Sequence, residues 1–152
     1  MCSQRMAQTV KGSYILLMGL PEEQTITVGS QKTIHFPRGY YAYVGSALGG
    51  LKSRLKHHLK ANKKPHWHID YLLQKTSIAD ILICETEDRA ECTIAQALGH
   101  HFDSINGFGS SDCKCHSHLF FAAGEMKLKV MATLNSLGMK TRLVQNLNQA
   151  AM

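Results

Sequence analysis

The residues best suited to chemistry in this chain are Tyr14, Tyr43, Arg54 and His58, three of them inside one stretch from Arg38 to Lys60. Tyr14 lies in Gly12-Ser13-Tyr14 and Tyr43 in Tyr43-Val44-Gly45, two segments that read as strands separated by a hairpin. Arg54 and His58 follow on the next helix. Paired tyrosines on neighbouring strands are commonly just cross-strand packing. Here a guanidinium and an imidazole stand downstream, and the combination suits phosphate chemistry. Arginine binds phosphate oxygens as a bidentate fork, and a phenol or imidazole can relay a proton.

Three further sets carry chemical side chains. Glu91 sits in Asp88-Arg-Ala-Glu91-Cys-Thr-Ile-Ala-Gln-Ala-Leu98. Asp88 as N-cap with Glu91 three residues on is a capping-box pattern. A helical wheel also places Glu91 beside Ala95 and Leu98, where a carboxylate needs a partner or a cation. In Asp112-Cys113-Lys114-Cys115-His116-Ser117-His118, Cys113 and Cys115 with His116 or His118 are plausible zinc ligands, with sulfurs at about 2.3 Å from the metal. Structural zinc usually adds a second ligand pair elsewhere, and Cys84 and Cys92 are not spaced as one. The other reading is a tight loop whose small thiols pack against the sheet. In His66-Trp67-His68 the histidines open a helix, line a site or are merely solvated, and Trp67 reads as a core or interface anchor. Lys52, Lys56, Lys60, Lys63 and Lys64 are singly a solvated face and together a phosphate-contacting patch.

The elements that must position these side chains belong to one domain, since 152 residues bury a real core without staples. The net charge of +6 favours an anionic partner, nucleic acid first. There is no long apolar run for a membrane span and no signal-peptide core near Met1, while the odd count of five cysteines suits reduced thiols in the cytoplasm. Residues 1–11 read as a loose leader. Gly12 to Leu20 is a strand buried on both faces. Thr25–Val28 and Thr33–Phe36 form a hairpin around Gly29–Lys32. From Tyr40 to Ser46, Tyr41, Tyr43 and Gly45 share one strand face, and Tyr40, Ala42, Val44 and Ser46 share the other. Leu51, Leu55 and Leu59 make a helical stripe flanked by Arg54 and His58, with Lys56 and Lys60 pointing away.

His66 to Leu73 resumes helical spacing, burying either Trp67, Tyr71 and Leu72 or Ile69, Leu72 and Leu73. Next come a strand over Ile78–Thr86, a helix over Asp88–Leu98 capped by Gly99, a loop over 106–118, and a strand over Leu119–Ala122. A helix over Met126–Leu137 and a polar tail close the chain. The fold class is α+β, with a small mixed or antiparallel sheet built from the hairpin and its neighbouring strands and covered by helices. The domain spans 12–122, and 123–152 is a C-terminal helix and tail packed on or extending from it.

Gly12-Ser13-Tyr14 and Tyr43-Val44-Gly45, continued by Ser46-Ala47, resemble the two motifs of the GIY-YIG nuclease superfamily, with Ser13 where an aliphatic residue is usual. Arg54 and His58 match the helix that follows, and Glu91 matches the metal-holding glutamate. More specifically, Gly12 to about Phe121 resembles a little-characterised GIY-YIG-like family met alone or fused to a base-excision DNA glycosylase. His66–Leu73, Ala90-Glu91-Cys92 and Gly107–Phe120 carry that likeness. Ser110 or Ser111 stands where relatives often have a further cysteine, and Asn106 only loosely matches the active-site asparagine.

The resemblance implies a magnesium- or manganese-dependent DNA phosphodiesterase linked to DNA repair, or a degenerate descendant with the same pocket. Its catalytic residues would be Tyr14, Tyr43, Arg54, His58 and Glu91. Glu91 would hold Mg²⁺ and Arg54 would stabilise the pentavalent phosphate. Tyr14 or Tyr43 would deprotonate water, with His58 sharing the proton. The alternatives are a non-catalytic nucleic-acid-binding module and a zinc-stapled interaction domain. The lysine-rich face predicts salt-sensitive binding. In fluorescence-anisotropy titrations on duplex DNA, log affinity should fall against log salt by about 0.9 per phosphate contacted. Affinity unchanged between low and moderate salt would contradict it.

Overall fold

The computed structural model describes residues 12–28, 32–47, 51–59, 68–85, 90–105, 108, 115 and 117–144. The strands are β1 (Gly12–Leu20), β2 (Gln24–Val28), β3 (Lys32–Phe36), β4 (Gly39–Ala47), β5 (Ser77–Glu85), β6 (Asp103–Ser104), β7 (Leu119–Ala122) and β8 (Thr141–Val144). The helices are α1 (Leu51–Leu59), α2 (His68–Leu73), α3 (Glu91–Gly99) and α4 (Lys127–Ser136). Six strands form one sheet in the order β6-β7-β4-β1-β5-β8, and every adjacent pair in it is antiparallel. The expected α+β class holds, and the sheet is antiparallel rather than mixed.

β1 is the axis of this arrangement. Its run Gly-Ser-Tyr-Ile-Leu-Leu-Met-Gly-Leu does not alternate in polarity because both its faces are covered and both its edges are paired. Tyr14, Leu16 and Met18 face one layer with Tyr41, Ile81 and Ile83. That layer is closed by Leu55 of α1, by Ile69 and Leu72 of α2, and by Val28 and Phe36 of the β2–β3 hairpin. Ile15 and Leu17 face the other layer with Ala42, Val44 and Leu82, under Ile94, Ala95 and Leu98 of α3 and Val130 and Leu134 of α4. The result is a sheet between two apolar layers, with α1 and α3 on opposite sides.

Several sequence expectations change. The hairpin is its own two-stranded sheet, and it packs over the main sheet instead of extending it. The helix after β5 starts at Glu91 with Ala90 as its N-cap and no side-chain cap, so Glu91 is the first helical residue rather than the third, and Asp88 lies outside the described residues. Its C-cap is His100 in a right-handed conformation, so Gly99 remains inside the helix. Of the two sets offered for α2, the buried one contains Ile69 and Leu72, and Trp67 lies outside the described residues. The expected polar tail contains β8, which pairs with β5 from Ile81↔Val144 to Cys84↔Thr141. Sheet and core therefore continue past residue 122, because β5 would otherwise expose an unpaired apolar edge. No described helix is long and apolar enough to cross a membrane.

The sheet packs tightly at Gly45, opposite Tyr14 in the β1–β4 register. A Cβ there would lie 2.4 Å from the Tyr14 ring and hydroxyl, and Tyr14 is only 1% exposed, with little room to withdraw. Gly45→Ala should cost about 1–3 kcal/mol in urea denaturation, the range for overpacking a filled core. Gly19→Ala, where a Cβ meets nothing within 4 Å, is the control and should be near neutral. Equal stability of the two variants would contradict this packing.

Candidate functional site

Tyr14 and Tyr43 reach the same layer because Tyr14 pairs with Gly45 and Leu16 with Tyr43 across adjacent strands. α1 crosses that face with Leu55 as its anchor, fully buried. Arg54 and His58 lie four residues apart and so share one side of the helix. The Tyr14 hydroxyl stands 2.6 Å from His58 Nε2 in the interior, with the ring centroids 5.3 Å apart. Tyr43 meets the His58 ring edge-on at 6.3 Å. Arg54 donates from Nη1 to the Ser46 carbonyl at 3.1 Å and also hydrogen-bonds the Tyr14 hydroxyl.

A fifth group joins from α2. Asp70 has no exposed surface, and its Oδ2 lies 3.0 Å from His57 Nε2. Its Oδ1 lies 4.0 Å from His58 Nδ1. With the His58 proton on Nδ1, Nε2 accepts from the Tyr14 hydroxyl while the other ring face turns toward Asp70. Carboxylate, imidazole and phenol then form one buried line. Sequence reading missed Asp70. The available signal was an acid between the core positions Ile69 and Leu72 of a short helix, where a carboxylate needs a partner.

Burial dominates the electrostatics of both phenols and pushes them well above the ordinary tyrosine value of about 10. At Tyr14 the charge and hydrogen bond of Arg54 oppose that rise, and the charges of Glu91 and Asp70 add to it. Tyr43 is raised further by Tyr14, Glu91 and Asp70, with Arg54 again opposing. Glu91 thus acts electrostatically on both phenols although it belongs to α3, in the opposite layer. Its side chain is 18% exposed, and its Oε2 lies 3.9 Å from His118 Nδ1.

Tyr14, Tyr43, Arg54 and His58 therefore converge, and Glu91 approaches from across the sheet. The expected metal loop divides differently. Cys113 and His116 lie outside the described residues, whereas Cys115 and His118 gather with Cys92 of α3, their ligand atoms within 4.8 Å of one another. Cys92 was passed over for lack of a nearby partner in sequence, and the fold supplies one. Lys56 is exposed as expected, while the Lys52 side chain and Lys60, Lys63, Lys64 and Asn106 are outside the description.

Fold and site together define a small α+β domain with a buried tyrosine–histidine–aspartate line under an arginine. Residues 13–139 match the model of the family described as "Domain of unknown function DUF123", and the chain belongs to that family. The match runs through α4, in keeping with a sheet that continues past residue 122. No curated protein and no solved structure matches the chain.

Burial also raises Tyr41, so three of the five tyrosines should resist ionisation in the native state. The sign follows from linkage. A phenol raised by folding contributes stability that is fully present below the unfolded value of about 10 and is lost as pH rises toward the folded one. Native-state ultraviolet titration should leave three tyrosines un-ionised until the chain unfolds, whereas in urea all five should titrate together. Five equivalent tyrosines in the native protein would contradict the burial.

Proposed function

We propose that this protein is a metal-dependent phosphodiesterase acting on DNA, with Tyr14, Tyr43, Arg54, His58 and Glu91 as its catalytic set. The observation that carries this reading is the buried 2.6 Å contact between Tyr14 and His58 beside the Arg54 guanidinium. A phenol raised by burial is a poor base if it must hold a negative charge. It works as a relay. While the attacking water gives a proton to the Tyr14 oxygen, Tyr14 passes its own proton to His58 Nε2, and no free phenolate accumulates. Asp70, on the Nδ1 side of the ring, favours the imidazolium that results. It acts through His58 as a positioning residue.

Arg54 is oriented by the Ser46 carbonyl and the Tyr14 hydroxyl, and its remaining donors suit the phosphate oxygens on which charge grows. Glu91 offers one hard, partly exposed carboxylate, which fits a magnesium or manganese ion that keeps several waters. Such an ion, when bound, would supply Lewis-acid stabilisation of the phosphoryl oxygens. The net charge of +6 and exposed Lys56 support a nucleic-acid substrate, and likeness to a family found fused to DNA glycosylases supports a repair setting. The cytoplasm is the compartment in which Cys92 and Cys115 would stay reduced.

The test is cleavage of labelled single-stranded, duplex and branched DNA with Mg²⁺ or Mn²⁺. Wild type should cleave, and Glu91→Gln should abolish cleavage while leaving DNA affinity intact, because an anionic side chain is removed. Tyr14→Phe should lower the rate by about 10²–10⁴, the usual range for losing a positioned proton-transfer group. Arg54→Ala should lower both rate and affinity. Salt-dependent binding without wild-type cleavage would replace this proposal with a non-catalytic DNA-binding module. Equal cleavage by wild type and Glu91→Gln would contradict the site.

A further inference from the structure

Beyond the tyrosine pocket, we infer that Cys92, Cys115 and His118 form a zinc site that ties the first turn of α3 to the chain entering β7. Cys92 comes from α3 and Cys115 and His118 from the chain entering β7, yet their ligand atoms all lie within 4.8 Å of one another. Tetrahedral zinc, with bonds of 2.0–2.3 Å, spaces its ligands by about 3.3–3.8 Å. Side-chain rotation supplies the contraction needed. His118 is 2% exposed, and Cys92 and Cys115 are partly buried, so the site is shielded yet reachable.

The backbone around His118 is already fixed. Its N–H donates to the Phe108 carbonyl at 2.8 Å, and its carbonyl accepts from the Val44 N–H at 2.9 Å. The Ser117 hydroxyl accepts from the Leu119 N–H at 2.9 Å and holds the same turn. One half of the site is thus preorganised on the sheet, and α3 brings the other half.

The chemistry of the donors selects the metal. Two thiolates and a neutral imidazole balance a doubly charged ion, which lowers the cost of burying it. Sulfur donors disfavour magnesium, manganese and calcium and favour zinc. Glu91 precedes Cys92, and its Oε2 lies 3.9 Å from His118 Nδ1, where a carboxylate orients a ligating imidazole, and water can take the fourth position. The site differs from the one expected within the 113–118 loop, because Cys92 on α3 is an essential ligand. Its consequence is positional: the ion would fix α3 against β4 and β7 and so set where Glu91 stands. The site does not depend on whether the protein cleaves DNA.

The test uses the full chain, made without a histidine tag and dialysed against metal-free buffer. Elemental analysis should find about one zinc per chain. Cobalt substitution should give a thiolate-to-metal charge-transfer band and the visible bands of a tetrahedral ion. Cys92→Ser, Cys115→Ser and His118→Asn should each retain less than about a tenth of the wild-type metal. Cys84→Ser should retain all of it, since Cys84 lies in the apolar layer and burial pushes its thiol up to about 11. If a ligand variant fails to fold, the cobalt spectrum of wild type still decides the question. No zinc after reconstitution, no sulfur-to-cobalt band, or a Cys92–Cys115 disulfide in the reduced-buffer preparation would overturn the inference.

Discussion

A phenol and an imidazole buried together must satisfy one another, and the hydrogen bond from Tyr14 to His58 is the constraint around which the site layer is arranged. An unpartnered buried hydroxyl costs about 1–3 kcal/mol, so neither side chain would be placed in the interior alone. Their meeting requires Tyr14 to lie on the central strand with its ring across Gly45. It also requires α1 to cross that strand at the height where His58 reaches the hydroxyl. Leu55 sets that height by filling the apolar layer beneath the helix. Asp70 adds the second requirement, that α2 approach from the side of Nδ1. β1, α1 and α2 thus meet at one buried polar cluster.

The donor sets on the two sides of the sheet differ in kind. The tyrosine pocket presents oxygen and nitrogen donors with a single carboxylate at its border. The cluster of Cys92, Cys115 and His118 presents sulfur. Glu91 stands between them, electrostatically coupled to both phenols and close to His118. Fixing α3 would therefore matter to the pocket even though the helix lies in the opposite layer.

Much of the frame was legible in the sequence. β1, the hairpin strands, β4 and α1 announce themselves by alternation, by an apolar run and by a leucine stripe, all local signals. Tyr14, Tyr43, Arg54 and His58 could be read as one group because a strand, a hairpin, a second strand and a helix in succession bring them to one face. Asp70 and Cys92 could not, since each acquires its partner through tertiary packing. β8 was missed because Thr141-Arg-Leu-Val144 is short and polar at alternate positions, and it becomes a strand by pairing with β5. The capping box expected at Glu91 fails for a local reason: Ala90 is the N-cap, which makes Glu91 the first helical residue rather than the third.

The central claim is that Tyr14 donates its hydroxyl proton toward His58 Nε2 while Asp70 faces Nδ1. Long-range proton–nitrogen correlation spectra of ¹⁵N-labelled protein report this directly, because a bare and a protonated ring nitrogen resonate far apart. The His58 proton should reside on Nδ1, Tyr14→Phe should move the Nε2 resonance, and Asp70→Asn should move the Nδ1 resonance. A His58 ring protonated on Nε2, or an Nε2 resonance indifferent to Tyr14→Phe, would contradict it.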